Sequence, residues 1–114
     1  MLDFEKQLSG DILIEKINLP RATTVEAGII KKRLFEDIHL SKKKIIVDMS
    51  KCYFIDEIFL GALVVSLKGT RETGGDIKVV ISSPVVKKTP NITGFLSVCE
   101  NYSSVEDALK NFGP

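Results

Sequence analysis

Apolar residues recur along this chain in blocks, and each block has a readable period. Ile12-Leu13-Ile14-Glu15-Lys16-Ile17 is β-branched and apolar between Gly10 and Pro20, and predicts a strand. A weaker strand over Leu2 to Gln7 would join it through Ser9-Gly10-Asp11 as a hairpin. Thr23-Thr24-Val25-Glu26 has the capping-box form, and Ala27, Ile30, Leu34 and Ile38 follow at spacings of three and four, predicting a helix with one apolar face. Lys31, Lys32, Arg33 and Glu36 lie off that stripe. Ile45–Met49 is apolar on both faces, as suits a central strand covered by helices.

After a turn from Ser50 to Ile55, an apolar helix opens at Asp56 and stops at Gly74-Gly75, a pair suited to a left-handed C-cap. Ile77–Ile81 predicts the next strand. Ser83-Pro84 starts a short helix that Pro90 limits, because proline lacks an amide and clashes with the preceding turn. A short strand is expected near Ser97–Cys99. Ser103-Ser104-Val105-Glu106 reads as a second capping box, opening a last helix with Val105, Ala108, Leu109 and Phe112 on one face. Strands alternating with helices imply an α/β layer structure with right-handed crossovers. With no internal repeat, low-complexity tract or linker, one domain over residues 1–114 is expected.

Composition narrows the function classes. Hydrophobic residues at 44% and charged residues at 27% of 114 are globular values that argue against disorder. A net charge of +1 gives no whole-molecule field toward nucleic acid, and Lys42-Lys43-Lys44 reads as a solvated strand entry. No segment approaches the ~20 apolar residues that span a bilayer. The acidic N-terminus, Met1-Leu2-Asp3-Phe4-Glu5, is unlike a secretory signal, so a cytoplasmic location is expected.

Cys52 and Cys99 stand apart, outside any CxxC or Cys/His cluster, and read as ordinary part-buried thiols. His39 is the only histidine, which leaves a metal site without ligands and a catalytic triad without support. There is no phosphate loop and no G-x-S-x-G elbow. Asp48 ends a strand and Asp56 suits a cap, so structural duties account for both carboxylates. No cofactor and no catalysis are expected.

The order of elements resembles the STAS family over nearly the whole chain. The residues that carry the resemblance are Ile45-Ile46-Val47-Asp48-Met49-Ser50, Phe54-Ile55-Asp56, Leu60-Gly61, Gly74-Gly75, Ser83-Pro84 and Ser104-Val105-Glu106-Asp107-Ala108-Leu109. The resemblance implies an α/β STAS fold: a four- to five-stranded mixed β-sheet flanked by about four α-helices. It also implies docking rather than catalysis, in the manner of an anti-sigma factor antagonist. Such a protein binds a kinase-like anti-sigma factor and frees a sigma factor, which regulates transcription. The alternative is a structural subunit of a transporter or stress-signalling assembly. Neither implies nucleic-acid binding or membrane insertion, and a homodimer is left open.

The sequence departs from the family at two places. The aspartate of the turn is often followed there by a serine or threonine that a partner kinase phosphorylates, then a small residue and a glycine. Here Glu57, Ile58 and Phe59 follow Asp56, and Pro90-Asn91 interrupts the helix after Ser83-Pro84. Glu57 either imitates the phosphorylated state permanently or simply suits the positive end of a helix. Leu60, Leu63, Val64 and Leu67 form the expected core stripe of this helix. Ile58, Ala62, Val65 and Gly69 form a second uncharged stripe, which is either covered by another helix or exposed for docking. The partner-binding surface is accordingly expected at Asp56, Glu57, Ile58, Phe59, Leu60, Gly61, Ala62 and Val65, with Pro20, Arg21 and Thr23 on the adjacent turn.

Overall fold

The structure, a computed structural model, describes residues 2–112. Its strands are β1 (Phe4–Ser9), β2 (Ile12–Ile17), β3 (Arg21–Ala22), β4 (Lys44–Asp48), β5 (Phe54–Ile55), β6 (Asp76–Val80) and β7 (Asn101–Tyr102). Its helices are α1 (Thr24–His39), α2 (Glu57–Glu72), α3 (Pro84–Lys87), α4 (Pro90–Leu96) and α5 (Val105–Asn111). The main sheet has the order β1-β2-β4-β6-β7, with β1 antiparallel to β2 and the other pairings parallel. This mixed five-stranded sheet falls within the four to five strands that the resemblance implies.

The apolar run of β4 explains its central place. Ile45 and Val47 point into the larger core with Ile30, Leu34, Leu63 and Leu67 of α1 and α2. Ile46 points the opposite way, into a smaller cluster with Ile14, Val80 and Ala108 of α5. All three β4 residues are fully buried, because helices cover both faces of the strand. On the α5 face, Lys78 of β6 is buried, ion-paired with Glu100 and lying 4.7 Å over the Phe112 ring.

Several elements differ from expectation. The turn Ser50 to Ile55 ends in β5, which pairs in parallel with β3 to form a separate two-stranded sheet. Two residues are too few for a strand to show a period. Pro90 does more than limit the short helix: it occupies the first turn of α4, which makes five helices rather than four. The expected strand near Ser97–Cys99 is absent, since the amides of Val98 and Cys99 still bond the Phe95 carbonyl as α4 unwinds. The strand there is β7, a few residues later. The last cap is Ser104, whose hydroxyl accepts the Asp107 amide at 3.1 Å, while the Ser103 hydroxyl takes the Lys87 ammonium. Cys52 and Cys99 are fully rather than partly buried.

Helix α2 is rotated from its expected setting. Phe59, Leu63, Ser66, Leu67 and Thr70 face inward and Val64 faces solvent. The hydroxyls of Ser66 and Thr70 donate to the carbonyls one turn back, which makes their burial inexpensive. Gly69 lets α1 approach, an added Cβ there lying 3.3 Å from Ile38 Cδ1. The helix ends as expected, with Gly74 at φ 88. Gly75 then passes so close to Lys43 that a Cβ would meet its carbonyl oxygen at 2.5 Å.

One buried cluster had no signature in the hydrophobic pattern. Glu15 of β2 and Asp37 of α1 are both completely buried under the first helix. Arg33 Nε donates to Glu15 Oε1 at 2.9 Å, and Lys6 Nζ donates to Asp37 Oδ1 at 2.7 Å and lies 3.7 Å from Glu15 Oε2. Glu15 Oε2 and Asp37 Oδ2 have no donor among the described residues. One proton shared between the two carboxyls would satisfy both oxygens. Burial pushes the Glu15 carboxyl up to about 8, and its hydrogen bond and repulsion with Asp37 push the same way, against Arg33.

The sign follows from linkage. A carboxyl raised above its ordinary 4.5 holds its proton in the folded state, so its contribution to stability is complete below about 4.5 and is lost as the pH rises through about 8. Denaturant unfolding across this window is expected to show stability falling with pH in the wild type. Glu15→Gln, whose amide can donate where the proton sat, should lose that slope. A slope of unchanged size in Glu15→Gln would place the titration on another group.

Candidate functional site

The candidate surface is built on one carboxylate. Asp56 precedes α2 in extended conformation, and its Oδ1 accepts the Phe59 amide at 2.9 Å, as an N-cap should. Its Oδ2 accepts the amide and hydroxyl of Thr24, at 2.7 and 3.0 Å, in the first turn of α1. A single side chain thus holds the N-termini of both long helices. The β3–β5 pairing sets up this fork: the Tyr53 amide bonds the Pro20 carbonyl and the Asp56 amide bonds the Ala22 carbonyl. Burial opposes ionisation of Asp56, but the Phe59 and Thr24 amides, the Thr24 hydroxyl and the Ile58 amide outweigh it and hold the carboxyl below its ordinary value.

Thr23 caps α1 as the sequence predicts. Its hydroxyl accepts the Val25 amide and Glu26 Oε1 accepts the Thr23 amide at 2.9 Å. Both helices therefore start at the same end of the molecule, with their positive dipole ends side by side. The Arg21 guanidinium lies 4.1 Å over the Phe54 ring, so the short second sheet presents a cation stacked on an aromatic at this end.

The fork brings most of the expected residues together, with three of them buried. Ile58 is 58% exposed and Val65 44%, with Gly61 open to solvent between them. With Ala27, Gly28 and Lys31 of α1 and Ala62 they line a shallow groove of about 230 Å³. Its floor is low because nothing lies within 4 Å of a Cβ added at Gly28 or Gly61. Pro20 and Arg21 are exposed on the same end. Phe59, expected at the surface, points into the core at 0% exposure; Leu60, read both as core stripe and as site residue, and Ala62 are buried at 8% each and only border the hollows. The second stripe of α2 is thus divided: α1 covers Ala62 and Gly69, while Ile58 and Val65 stay open.

Glu57 is exposed in the first turn of α2, and its Oε1 accepts the side-chain amide of Asn91 from α4. Beside them, Leu60, Gly61 and Val64 line a second hollow. Asn91, Phe54, Gly28 and Lys31 were missed by sequence reasoning. For Asn91 a signal existed, since Thr89-Pro90 is a fair helix start. The others meet the site only through tertiary packing.

The remaining chemistry is quiet. Asp48 accepts the Ser50 amide at 3.0 Å, and His39 is exposed in the last turn of α1, at the far end of that helix. Burial, and after it nearby carboxylates, push both cysteine thiols up to about 12, where no reactive thiolate forms. Among the described residues, no group of three His, Cys, Asp or Glu could hold a metal ion, and no helix is long and apolar enough to cross a membrane.

Comparison with known proteins agrees with this layout. The family model of the STAS domain matches residues 4–108. No curated protein matches the chain significantly. A Thermotoga maritima protein assigned as an anti-sigma factor antagonist superposes with a TM-score of 0.82 at 22% identity, over 95% of this chain and 92% of that one. An anti-sigma factor antagonist from Mycobacterium paratuberculosis gives a TM-score of 0.83 at 17% identity, over 95% and 91%. The phosphorylated form of the Bacillus cell fate determinant SpoIIAA gives 0.71 at 14%, over 96% and 98%. At these identities the likeness is one of fold.

Removing the fork should unfasten two helices at once. Asp56→Ala is expected to lower unfolding free energy by about 2 kcal/mol, the upper end for one N-cap, because amides of both α1 and α2 lose their acceptor. Asp56→Asn should recover only part of this, since one of its two positions becomes a donor facing donors. Equal stability of wild type and Asp56→Ala in urea unfolding would show that the fork holds neither helix.

Proposed function

The chain belongs to the STAS domain family, and from that premise we propose that it works as an anti-sigma factor antagonist: a non-enzymatic docking domain that occupies a kinase-type anti-sigma factor and so releases a sigma factor. Ile58 is the observation that carries the reading. An isoleucine more than half exposed, in the first turn of a helix and over a floor of small residues, is an anchor without a pocket. Around it the charges are mixed in sign, with Glu57 preceding Ile58 on α2 and Lys31 lining the groove from α1, which would orient a partner more than it would hold it. Occupation of the anti-sigma factor then acts by mass action on the sigma factor it would otherwise bind.

Glu57 sets this chain apart from relatives that work through phosphorylation. A carboxylate cannot accept a phosphoryl group as a serine would, so control at this position would pass to expression level or to a ligand. The second reading, a permanently docked subunit of a transporter or signalling assembly, uses the same surface and draws on the same fixed charge, since a permanent contact needs no switch.

The test uses the full chain as bait in lysate of its own cell, with bound proteins identified by mass spectrometry and affinity then measured on the purified pair. Phe59→Ala is unsuitable as a probe, because it would open a core cavity. Ile58→Asp alters only an exposed side chain and should leave the circular dichroism spectrum unchanged. The expected outcome is a kinase-fold anti-sigma factor held by the wild type and bound at least tenfold more weakly by Ile58→Asp. Transporter or scaffold subunits in its place, with no kinase, would overturn the antagonist reading in favour of the subunit. Unchanged affinity in Ile58→Asp would overturn the surface.

A further inference from the structure

A pocket of about 330 Å³, wider than the groove beside Ile58, lies at the other end of α1. It is bounded by Lys6, Gln7 and Leu8 of β1, Leu13 of β2, and Asp37, Leu40 and Lys42 at the C-terminal end of α1 and just beyond it. Sixteen residues of α1 separate it from the Asp56 fork, about 24 Å at 1.5 Å per residue. Its volume is within the usual range for small-molecule sites, roughly 300–1,000 Å³.

The chemistry of its walls is divided. Leu8 and Leu40 are 61% and 66% exposed, and with the buried Leu13 they give an apolar lining that the main core does not use. Its charged groups are two ammonium ions against one carboxylate, with the neutral Gln7 beside them. Lys6 is spent on Asp37, at 2.7 Å, whereas the Lys42 ammonium has no ion-pair partner among the described residues. Asp37 is turned to Lys6 and to the buried Glu15 behind it, so the positive charge left over in the lining is that of Lys42. The pocket thus combines an apolar wall with an unmatched positive charge at its rim.

We propose that this pocket is a second binding site, taking a small organic anion with an apolar body, of the medium-chain carboxylate type, whose chain lies against Leu8, Leu13 and Leu40 and whose head meets Lys42. The site is independent of the docking surface. It does adjoin the Lys6–Asp37 contact that ties β1 to α1, so an occupant would touch the same helix that the fork holds at its other end.

Octanoate is a suitable probe, with octan-1-ol as its uncharged control, and backbone amide NMR as the readout. Octanoate is expected to shift the amides of Leu8, Leu13, Leu40 and Lys42, with octan-1-ol binding about fivefold more weakly. Lys42→Ala should weaken octanoate by about the same factor, near the upper limit for a partly exposed ion pair, and leave octan-1-ol unchanged. Leu40→Ser, an exposed position that does not threaten the fold, should weaken both. Absence of octanoate shifts at these residues, equal binding of acid and alcohol, or indifference to Lys42→Ala and Leu40→Ser would each overturn the proposal.

Discussion

The two long helices of this protein begin on the same carboxylate. Each helix start leaves amides without intrahelical partners, and one Asp56 side chain divides its two oxygens between them. What makes the division possible is the β3–β5 pair, two residues on each side, which brings Ala22 and Ile55 into register immediately before the helices begin. With both starting points fixed, α1 and α2 must run side by side in the same direction across one face of the sheet. Ile58, Gly61 and Val65 then lie next to Ala27, Gly28 and Lys31, and a groove results. The candidate surface is in this sense a by-product of a capping arrangement: the residue that secures the fold also sets the geometry of the groove.

The opposite end of α1 is secured differently. There the helix meets β2 and β1 through Arg33, Asp37, Glu15 and Lys6. Two buried carboxyls facing each other could not both be ionised without a large penalty, and the two cations only partly relieve it. Burial and the neighbouring Asp37 raise the Glu15 carboxyl to about 8, and a Glu15 that is neutral below that pH in the folded state makes the cluster tolerable. One end of the helix depends on an ionised carboxylate and the other on a protonated one. Acid titrates the first contact and alkali the second, so the packing of α1 is strongest between them.

What was legible in the sequence was what repeats. The β4 run from Ile45 to Met49, the stripe of Ala27, Ile30 and Leu34, and the capping box at Thr23 each state a local rule that tertiary packing then obeys. What escaped was either too short to repeat or decided by partners distant in the chain. β3 and β5 have two residues each. α4 hid behind Pro90, read as a stop when it was also a start. Glu15 and Asp37 look like surface residues until the sheet and helix bring their neighbours. Phe59 shows the limit of a helical wheel. Its heptad position is ambiguous between the two apolar stripes, and in the packed helix, with α1 approaching closely at Gly69, Phe59 lies inward and Val64 out. Of the residues expected at the site, those that end the local rules (Asp56, Thr23) are placed as read, and the apolar helix is divided: Ile58, Gly61 and Val65 lie open while Phe59, Leu60 and Ala62 are buried.

The placement of Asp56 also bears on what Glu57 can do. An anion at a helix start would normally be drawn to the free amides there, and a phosphate with charge of about −1.5 to −2 most of all. In this protein Asp56 already holds the Phe59 and Thr24 amides, and Glu57 turns outward to the Asn91 side chain instead. Its charge therefore stays at the surface, anchored from α4, rather than sinking into the helix ends. A charge so placed acts on an approaching partner across solvent, over a Debye length of about 8–10 Å, and affects the rate of encounter more than the lifetime of the complex. The lifetime would rest on how well a partner buries Ile58 and fills the groove behind it. On the proposed reading, glutamate at this position would separate two functions that a phosphorylatable serine joins: the steering charge would be permanent, and the holding contact apolar and unswitched.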